Sequence, residues 1–159
     1  VSARLGYAPP VRAVVQRVSR AEVSVAGEAV GAIGSGLVSL VGVAQGDTEI
    51  EVGWMATRLC GLRVFEDDQG KMNLALADVE GSLLLVPNFT VCGDASRGRR
   101  PSFTQAAEYE AGRALFDALA EKCRSILGRV ETGRYGAEMS VSIVNDGPVT
   151  LVLETPPRR

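Results

Sequence analysis

Three strand-like runs stand in the chain before any helical pattern begins, and the connections between them are short and rich in glycine. Arg12–Val18 and Glu22–Val25 carry β-branched residues, and Leu37–Val43 follows the turn GAIGSG, with Gly27, Gly31, Gly34 and Gly36 as hairpin punctuation. Asp47-Thr48-Glu49 then opens a helix with a capping side chain and early acids, and Val52, Met55, Ala56, Leu59 and Leu62 recur at helical spacing. A second strand group comprises Leu62–Phe65 and, after the polar turn EDDQGK, the apolar run Ser82–Val91. The segment CGDASRGRRPSF reads as a loop. An amphipathic helix is predicted from about Gln105 to Leu127, with Leu115, Phe116, Leu119, Cys123 and Ile126 on one stripe and Gly128 at its end. Met139, Val141 and Ile143 alternate, the chain turns at Asn145-Asp146-Gly147-Pro148, and Val149–Leu153 forms the last strand. Strands and helices in separate blocks, joined by hairpin turns, argue for an α+β fold: a mostly antiparallel sheet or small β-barrel with two packing helices, rather than a βαβ fold.

With 46% apolar residues in 159, the chain can bury one core as a single domain. Residues 1–10 read as a disordered extension, 11–154 as the domain and 155–159 as a flexible tail. No apolar run reaches the roughly 18 residues of a membrane span, and VSARLGYAPP lacks the apolar centre of a signal peptide. The three cysteines, Cys60, Cys92 and Cys123, are widely spaced without a C-x-x-C pair, which argues against a disulfide framework or zinc site and fits a reducing cytoplasm.

The chain has no histidine, so the commonest general base and the commonest metal ligand are both missing. Seventeen basic against nineteen acidic residues give a net charge of −2, so any nucleic acid is held locally rather than along a basic face. Neither G-x-G-x-x-G between strand and helix nor G-x-x-x-x-G-K-[ST] occurs, which leaves nucleotide-cofactor folds unsupported.

Three clusters stand apart from the core pattern. Pro87-Asn88-Phe89-Thr90 is either a strand end turning polar or a site at the mouth of a strand. Arg97, Arg99 and Arg100, with Ser102 and Phe103, form either a solvated loop or a contact for phosphates. Asn145-Asp146-Gly147-Pro148-Val149-Thr150 reads by itself as a turn. Cys92, without a histidine to activate it, reads as structural rather than nucleophilic, and Asp67, Asp68 and Asp78 read as turn acids.

Taken in order, VVQRVSRAEVSV, GLRVFEDDQGKMN, LLLVPNFT, GRRPSFTQAA, TGRYGAEM and SIVNDGPVT resemble the bacterial D-aminoacyl-tRNA deacylases from Arg12 to about Leu153. The resemblance implies a homodimeric proofreading hydrolase of the cytoplasm that cuts the ester between a D-amino acid and the 3′ end of a tRNA. Glycine is accepted too, including glycine mischarged on tRNA-Ala. It implies no metal and no cofactor. It further implies that a cis Gly-Pro pair, here Gly147-Pro148, enters the other subunit's active site and rejects L side chains with its backbone carbonyls. Val11 stands where the family begins with methionine, so residues 1–10 are expected to be dispensable.

The family signature Ser-Gln-x-Thr is matched by Pro87-Asn88-Phe89-Thr90, which departs from it at the first two positions. The resemblance implies an oxyanion hole from the backbone N–H groups of Phe89 and Thr90, with Asn88 at the third catalytic position. The neighbouring 2′-hydroxyl of the terminal adenosine would position the water, with Thr90 in contact range; the other reading makes Thr90 the nucleophile. Tyr135, Gly136 and Met139 resemble the adenine pocket, although Met139 is also in phase with Val141 and Ile143 for the core. Arg97, Arg99 and Arg100, with Ser102 and Phe103, would meet the tRNA. Pro87 also resembles a related animal family with Pro-Gln-x-Thr, a trans Gly-Pro pair and relaxed chirality. That variant and a non-catalytic tRNA-binding module are the alternatives.

Overall fold

A computed structural model describes residues 11–157. The expected extension 1–10 and residues 158–159 of the expected tail lie outside the described residues. Thr155 does not begin a loose tail: it is buried, and its N–H donates to the Val11 carbonyl at 3.1 Å.

The spine is β1 (Arg12–Val25), a single strand of 14 residues where two runs were predicted. Ser19 and Arg20 are exposed, yet the ladder to β8 (Ser140–Glu154) continues beyond them, shifting register between Gln16 and Arg20. Along its other edge β1 pairs first with β3 (Gly36–Gly42) and then with β2 (Glu28–Ile33), both antiparallel. From β3 the sheet continues through β6 (Ser82–Pro87) to β7 (Val130–Thr132), and both of these pairings are parallel. The six-stranded sheet curls into a nearly closed barrel, and the α+β class with two helices holds. The parallel half arises because α1 (Glu49–Gly61) and α2 (Tyr109–Leu127) lie in the two crossovers and supply the length that a parallel return needs.

β6 is buried on both faces, which explains its unbroken apolar sequence. Leu83 and Leu85 join the core under the two helices, with Leu37, Met55, Leu59, Phe116 and Leu119. Leu84 and Val86 point the other way, into a second core with Val18, Val23, Ile33 and Val38. The strand stops at Pro87, not at Val91. Proline has no N–H to extend the ladder, and a 3-10 turn over Phe89–Cys92 follows.

Thr48 caps α1 as its sequence implies, and Glu51 completes a capping box by accepting from the Thr48 N–H at 2.7 Å. Such a cap stabilises by about 1 kcal/mol. The predicted strand Leu62–Phe65 shrinks to β4 (Phe65–Glu66), paired with β5 (Met72–Leu74), because Leu62 is the C-cap of α1. α2 begins at Tyr109 rather than Gln105: Gln105 and Ala107 bond to the backbone of Gln45 and Val43 instead. Ile126 is 55% exposed and off the predicted stripe. Nor does the chain reverse at Asn145–Pro148; β8 runs through it as one strand with a bulge. No helix of the described residues is long and apolar enough to cross a membrane.

Candidate functional site

A cavity of about 720 Å³ opens where the C-terminal ends of β3 and β6 meet the start of α2. Its floor belongs to the second core: buried Val86 with half-buried Leu40, Met139, Val141 and Ile143. Met139 both packs on that core and lines the cavity.

One wall is aromatic. Tyr109 and Tyr135 meet edge to face with centroids 5.3 Å apart, and Phe116 supports Tyr135 from the core at 5.9 Å. Gly136, at φ 77°, makes this possible, because a Cβ there would come within 2.6 Å of the Tyr109 ring. The close neighbour of Gly136 is thus a side chain of the protein itself. Burial pushes the Tyr135 hydroxyl above its ordinary pKa.

The opposite wall is Pro87, Asn88 and Phe89. Asn88 donates its N–H to the Val41 carbonyl at 2.8 Å, which ties the wall to the end of β3. Its side-chain oxygen caps the 3-10 turn, accepting from the Thr90 N–H at 3.2 Å and from the Thr90 hydroxyl at 2.5 Å. The Thr90 N–H is therefore already engaged, contrary to the expectation that it stays open beside that of Phe89. The Phe89 N–H makes no hydrogen bond to the described chain. Thr90 itself does not line the cavity.

Among the described residues that line the cavity there is no carboxylate, amine, guanidinium or thiol, and the ionisable groups are the two tyrosines. Cys92 ends the 3-10 turn and is 1% exposed; burial pushes its thiol up to about 11, against the pull of Arg12. It is an inert thiol at neutral pH. Among the described residues no three His, Cys, Asp or Glu side chains come together to hold a metal ion.

The remaining candidates lie further out. Phe103 packs edge to face on Phe89 at 5.3 Å. Ser102 pairs its backbone with Asp94, closing a loop on which Arg97, Arg99 and Arg100 are all exposed. Gly147 and Pro148, joined by a cis bond, do not line this cavity. They are held by Arg17, which is 7% exposed and bonded to the Val64 and Asp146 carbonyls at 2.8 and 3.3 Å.

Sequence reasoning missed Tyr109, which the predicted helix absorbed, and the rim residues Ala106 and Ala107. It also missed Arg17, although a signal was there: Val11, Ala13 and Val15 are buried in alternation, and Arg17 continues that inward phase.

Comparison with known proteins agrees along nearly the whole chain. The family described as D-Tyr-tRNA(Tyr) deacylase matches residues 14–154. A D-aminoacyl-tRNA deacylase of Thioalkalivibrio sulfidiphilus is 54% identical over 147 residues, covering 92% of this chain and 99% of that protein. One from an Exiguobacterium species is 53% identical over 144 residues, covering 91% and 98%. Among solved structures, one titled c-Myc DNA Unwinding Element Binding Protein superposes with a TM-score of 0.87 at 38% identity, covering 92% of this chain and 99% of that one. A probable eukaryotic D-amino acid tRNA deacylase shares the fold, with a TM-score of 0.79 at 18% identity, covering 91% and 98%.

Proposed function

The chain belongs to the D-Tyr-tRNA(Tyr) deacylase family, and from that premise we propose how it acts as a D-aminoacyl-tRNA deacylase, a hydrolase that releases free amino acid and tRNA. The observation that carries this reading is the cavity itself: among the described residues, an apolar slot with an aromatic wall, an unpaired Phe89 N–H at its edge and no charged side chain in its lining.

Such a slot suits an ester that is already reactive and a substrate that supplies its own hydroxyl. A water adds to the ester carbonyl, the carbonyl electrons move onto oxygen, and the Phe89 N–H donates a hydrogen bond to that oxyanion. Collapse re-forms the carbonyl and breaks the bond to the ribose 3′ oxygen, which takes the proton given up by the water. The adjacent 2′-hydroxyl holds that water, and Thr90, with its own hydroxyl turned toward Asn88, is a neighbour rather than the nucleophile. The terminal adenine lies against Tyr135 and Met139, with Tyr109 closing the slot over Gly136.

Selection for the D form belongs to Gly147–Pro148 of a second subunit, whose carbonyls face the substrate's α-carbon and collide with an L side chain. Glycine has nothing to collide and is accepted. Two features support a homodimer built in this way: the pair lies outside its own cavity, and β8 exposes Val144, Leu151 and Val152 beside it. Arg99 and Arg100, with Ser102 and Phe103, are the proposed contacts to the acceptor end of the tRNA, and the cytoplasm is where we expect the enzyme to meet it. The test is deacylation of D-Tyr-tRNA and L-Tyr-tRNA by the purified protein. Cleavage of the D ester alone is expected, and equal cleavage of both would favour the relative with relaxed chirality.

A further inference from the structure

The later part of α1 carries a feature that the cavity above does not use. From Val52 to Phe65 the chain has no acidic residue, yet Arg58 and Arg63 are both exposed there. The two line a second cavity, an open groove of about 750 Å³, with Gly53, Trp54, Thr57 and Leu62. The Arg58 guanidinium lies over the Trp54 ring at 4.9 Å, and Trp54 is half-buried against the main core, so a flexible cation rests on a fixed plane. Arg63 is steadied differently. Its Nε donates to the Asn73 carbonyl at 2.8 Å, and its two terminal nitrogens make no hydrogen bond among the described residues. Nor does either guanidinium pair with a carboxylate there. Two held, unneutralised forks in one groove, with the exposed Thr57 hydroxyl in the same lining, are donors suited to phosphate oxygens.

We propose that this groove holds the sugar-phosphate backbone of the tRNA acceptor arm, outside the cavity that takes the terminal nucleotide. This placement rests on the deacylase reading and on the shared dimer site given with it. Leu62 is the C-cap of α1, and two residues later the Val64 carbonyl accepts from Arg17, the side chain that also holds Asp146 beside Gly147. The groove therefore lies on the side of the Gly147–Pro148 corner. Where that corner enters the partner's cavity, an RNA whose end is bound there runs past Arg58 and Arg63 of the subunit that supplies the corner. With a net charge of −2 the chain as a whole attracts RNA weakly, so a local pair of fixed arginines supplies the attraction. Trp54 is a positioning residue, which keeps Arg58 in place.

Trp54 is the chain's single tryptophan, so its fluorescence reports on the groove. Wild type is titrated with deacylated tRNA and with inorganic phosphate. Wild type, the double variant Arg58→Gln with Arg63→Gln, Gly53→Leu, and Lys122→Gln as a loss of charge on α2 are then compared for tRNA binding by filter retention. All four are assayed on D-Tyr-tRNA and on D-tyrosyl-adenosine, which fills the cavity but has no phosphate to offer the groove. A Cβ at Gly53 meets nothing within 4 Å, so leucine there fills the groove without removing a charge. Transfer RNA is expected to change the Trp54 signal. In the double variant the slope of log Kd against log salt should fall by about 1 for each arginine, and KM for D-Tyr-tRNA should rise roughly tenfold with kcat kept. Gly53→Leu should raise KM likewise, Lys122→Gln should match wild type, and D-tyrosyl-adenosine should be cleaved alike by all four. An unmoved Trp54 signal, a wild-type salt slope and KM in the double variant, a loss shared by D-tyrosyl-adenosine, or saturation by inorganic phosphate as well as by tRNA would overturn the proposal. A wild type inactive on D-Tyr-tRNA sinks the deacylase reading and this placement with it; an active wild type giving any of those results sinks this one alone.

Discussion

The Nε of Arg17 lies 3.3 Å from the backbone oxygen of Asp146 and 3.3 Å from its carboxylate, while Nη1 of the same guanidinium donates to the Val64 carbonyl at 2.8 Å. One buried cation thus fastens the approach to Gly147 to the end of the segment that follows α1. The carboxylate is the lesser part of this arrangement, because it is 57% exposed and screened by water. The two carbonyls are the greater part.

Arg17→Met is therefore expected to destabilise by about 1–3 kcal/mol, the cost of leaving a buried carbonyl without its donor. Asp146→Asn keeps the backbone contact and should cost less than about 1 kcal/mol. Urea midpoints compare the two. The cleavage ratio of L- to D-Tyr-tRNA should rise in Arg17→Met as the corner loosens, and an unchanged ratio would separate Arg17 from selectivity.

Gly147→Ala should disturb the same corner from the other side. At φ 125° a Cβ would sit 2.9 Å from Val149 Cγ2 and 3.0 Å from the Val149 nitrogen, so the backbone must shift, at about 1–3 kcal/mol. Because the proposed task of the corner is to reject L side chains, Gly147→Ala should keep cleavage of D-Tyr-tRNA and gain cleavage of L-Tyr-tRNA. An unchanged ratio of the two would separate this corner from selectivity.

The two-faced burial of β6 sets a stability contrast. Leu84, 0% exposed, should cost about 2–5 kcal/mol when cut to alanine, whereas Ile126→Ala on the outer side of α2 should stay within about 0.5 kcal/mol. Denaturant unfolding of both checks the core assignment and the correction to the helical stripe.

Cys92 gives a prediction in pH. Its thiol is raised from 9.0 to about 11 in the folded chain, chiefly by burial. A raised pKa contributes stability that is complete below the unfolded value and is lost as pH climbs toward the folded one. The loss from this group should fall between about pH 9 and 11 and amount to about 2–3 kcal/mol. Cys92→Ala should flatten that part of the curve, while leaving neutral-pH deacylation intact.

Local signals in the sequence located what local chemistry decides. Thr48 capped its helix because the side chain and Glu51 lie within one turn, and Gly128 ended the second helix for the same kind of reason. Phe89, Tyr135 and Met139 were found through resemblance and do meet at one cavity. What escaped depended on distant partners. α2 starts late because Gln105 and Ala107 are claimed by Gln45 and Val43, and the bulge at Asn145–Pro148 looks like a reversal until β1 is seen pairing with both of its sides. The engagement of the Thr90 N–H is a third kind of case. It depends on the rotamer that Asn88 adopts, which its residue type alone does not decide.

The continuity of β8 makes it a ruler. Met139, Val141 and Ile143 form the floor of one cavity, and four residues beyond Ile143 the same strand presents Gly147 on its bulge. Between Ile143 and Asn145 the strand alternates its faces, so inserting or deleting one position there would turn the bulged corner toward the opposite side. Amino acids along this stretch can therefore be exchanged, but their number cannot drift. Two sites on paired molecules would be kept in step by a count of residues, with no contact needed to enforce it.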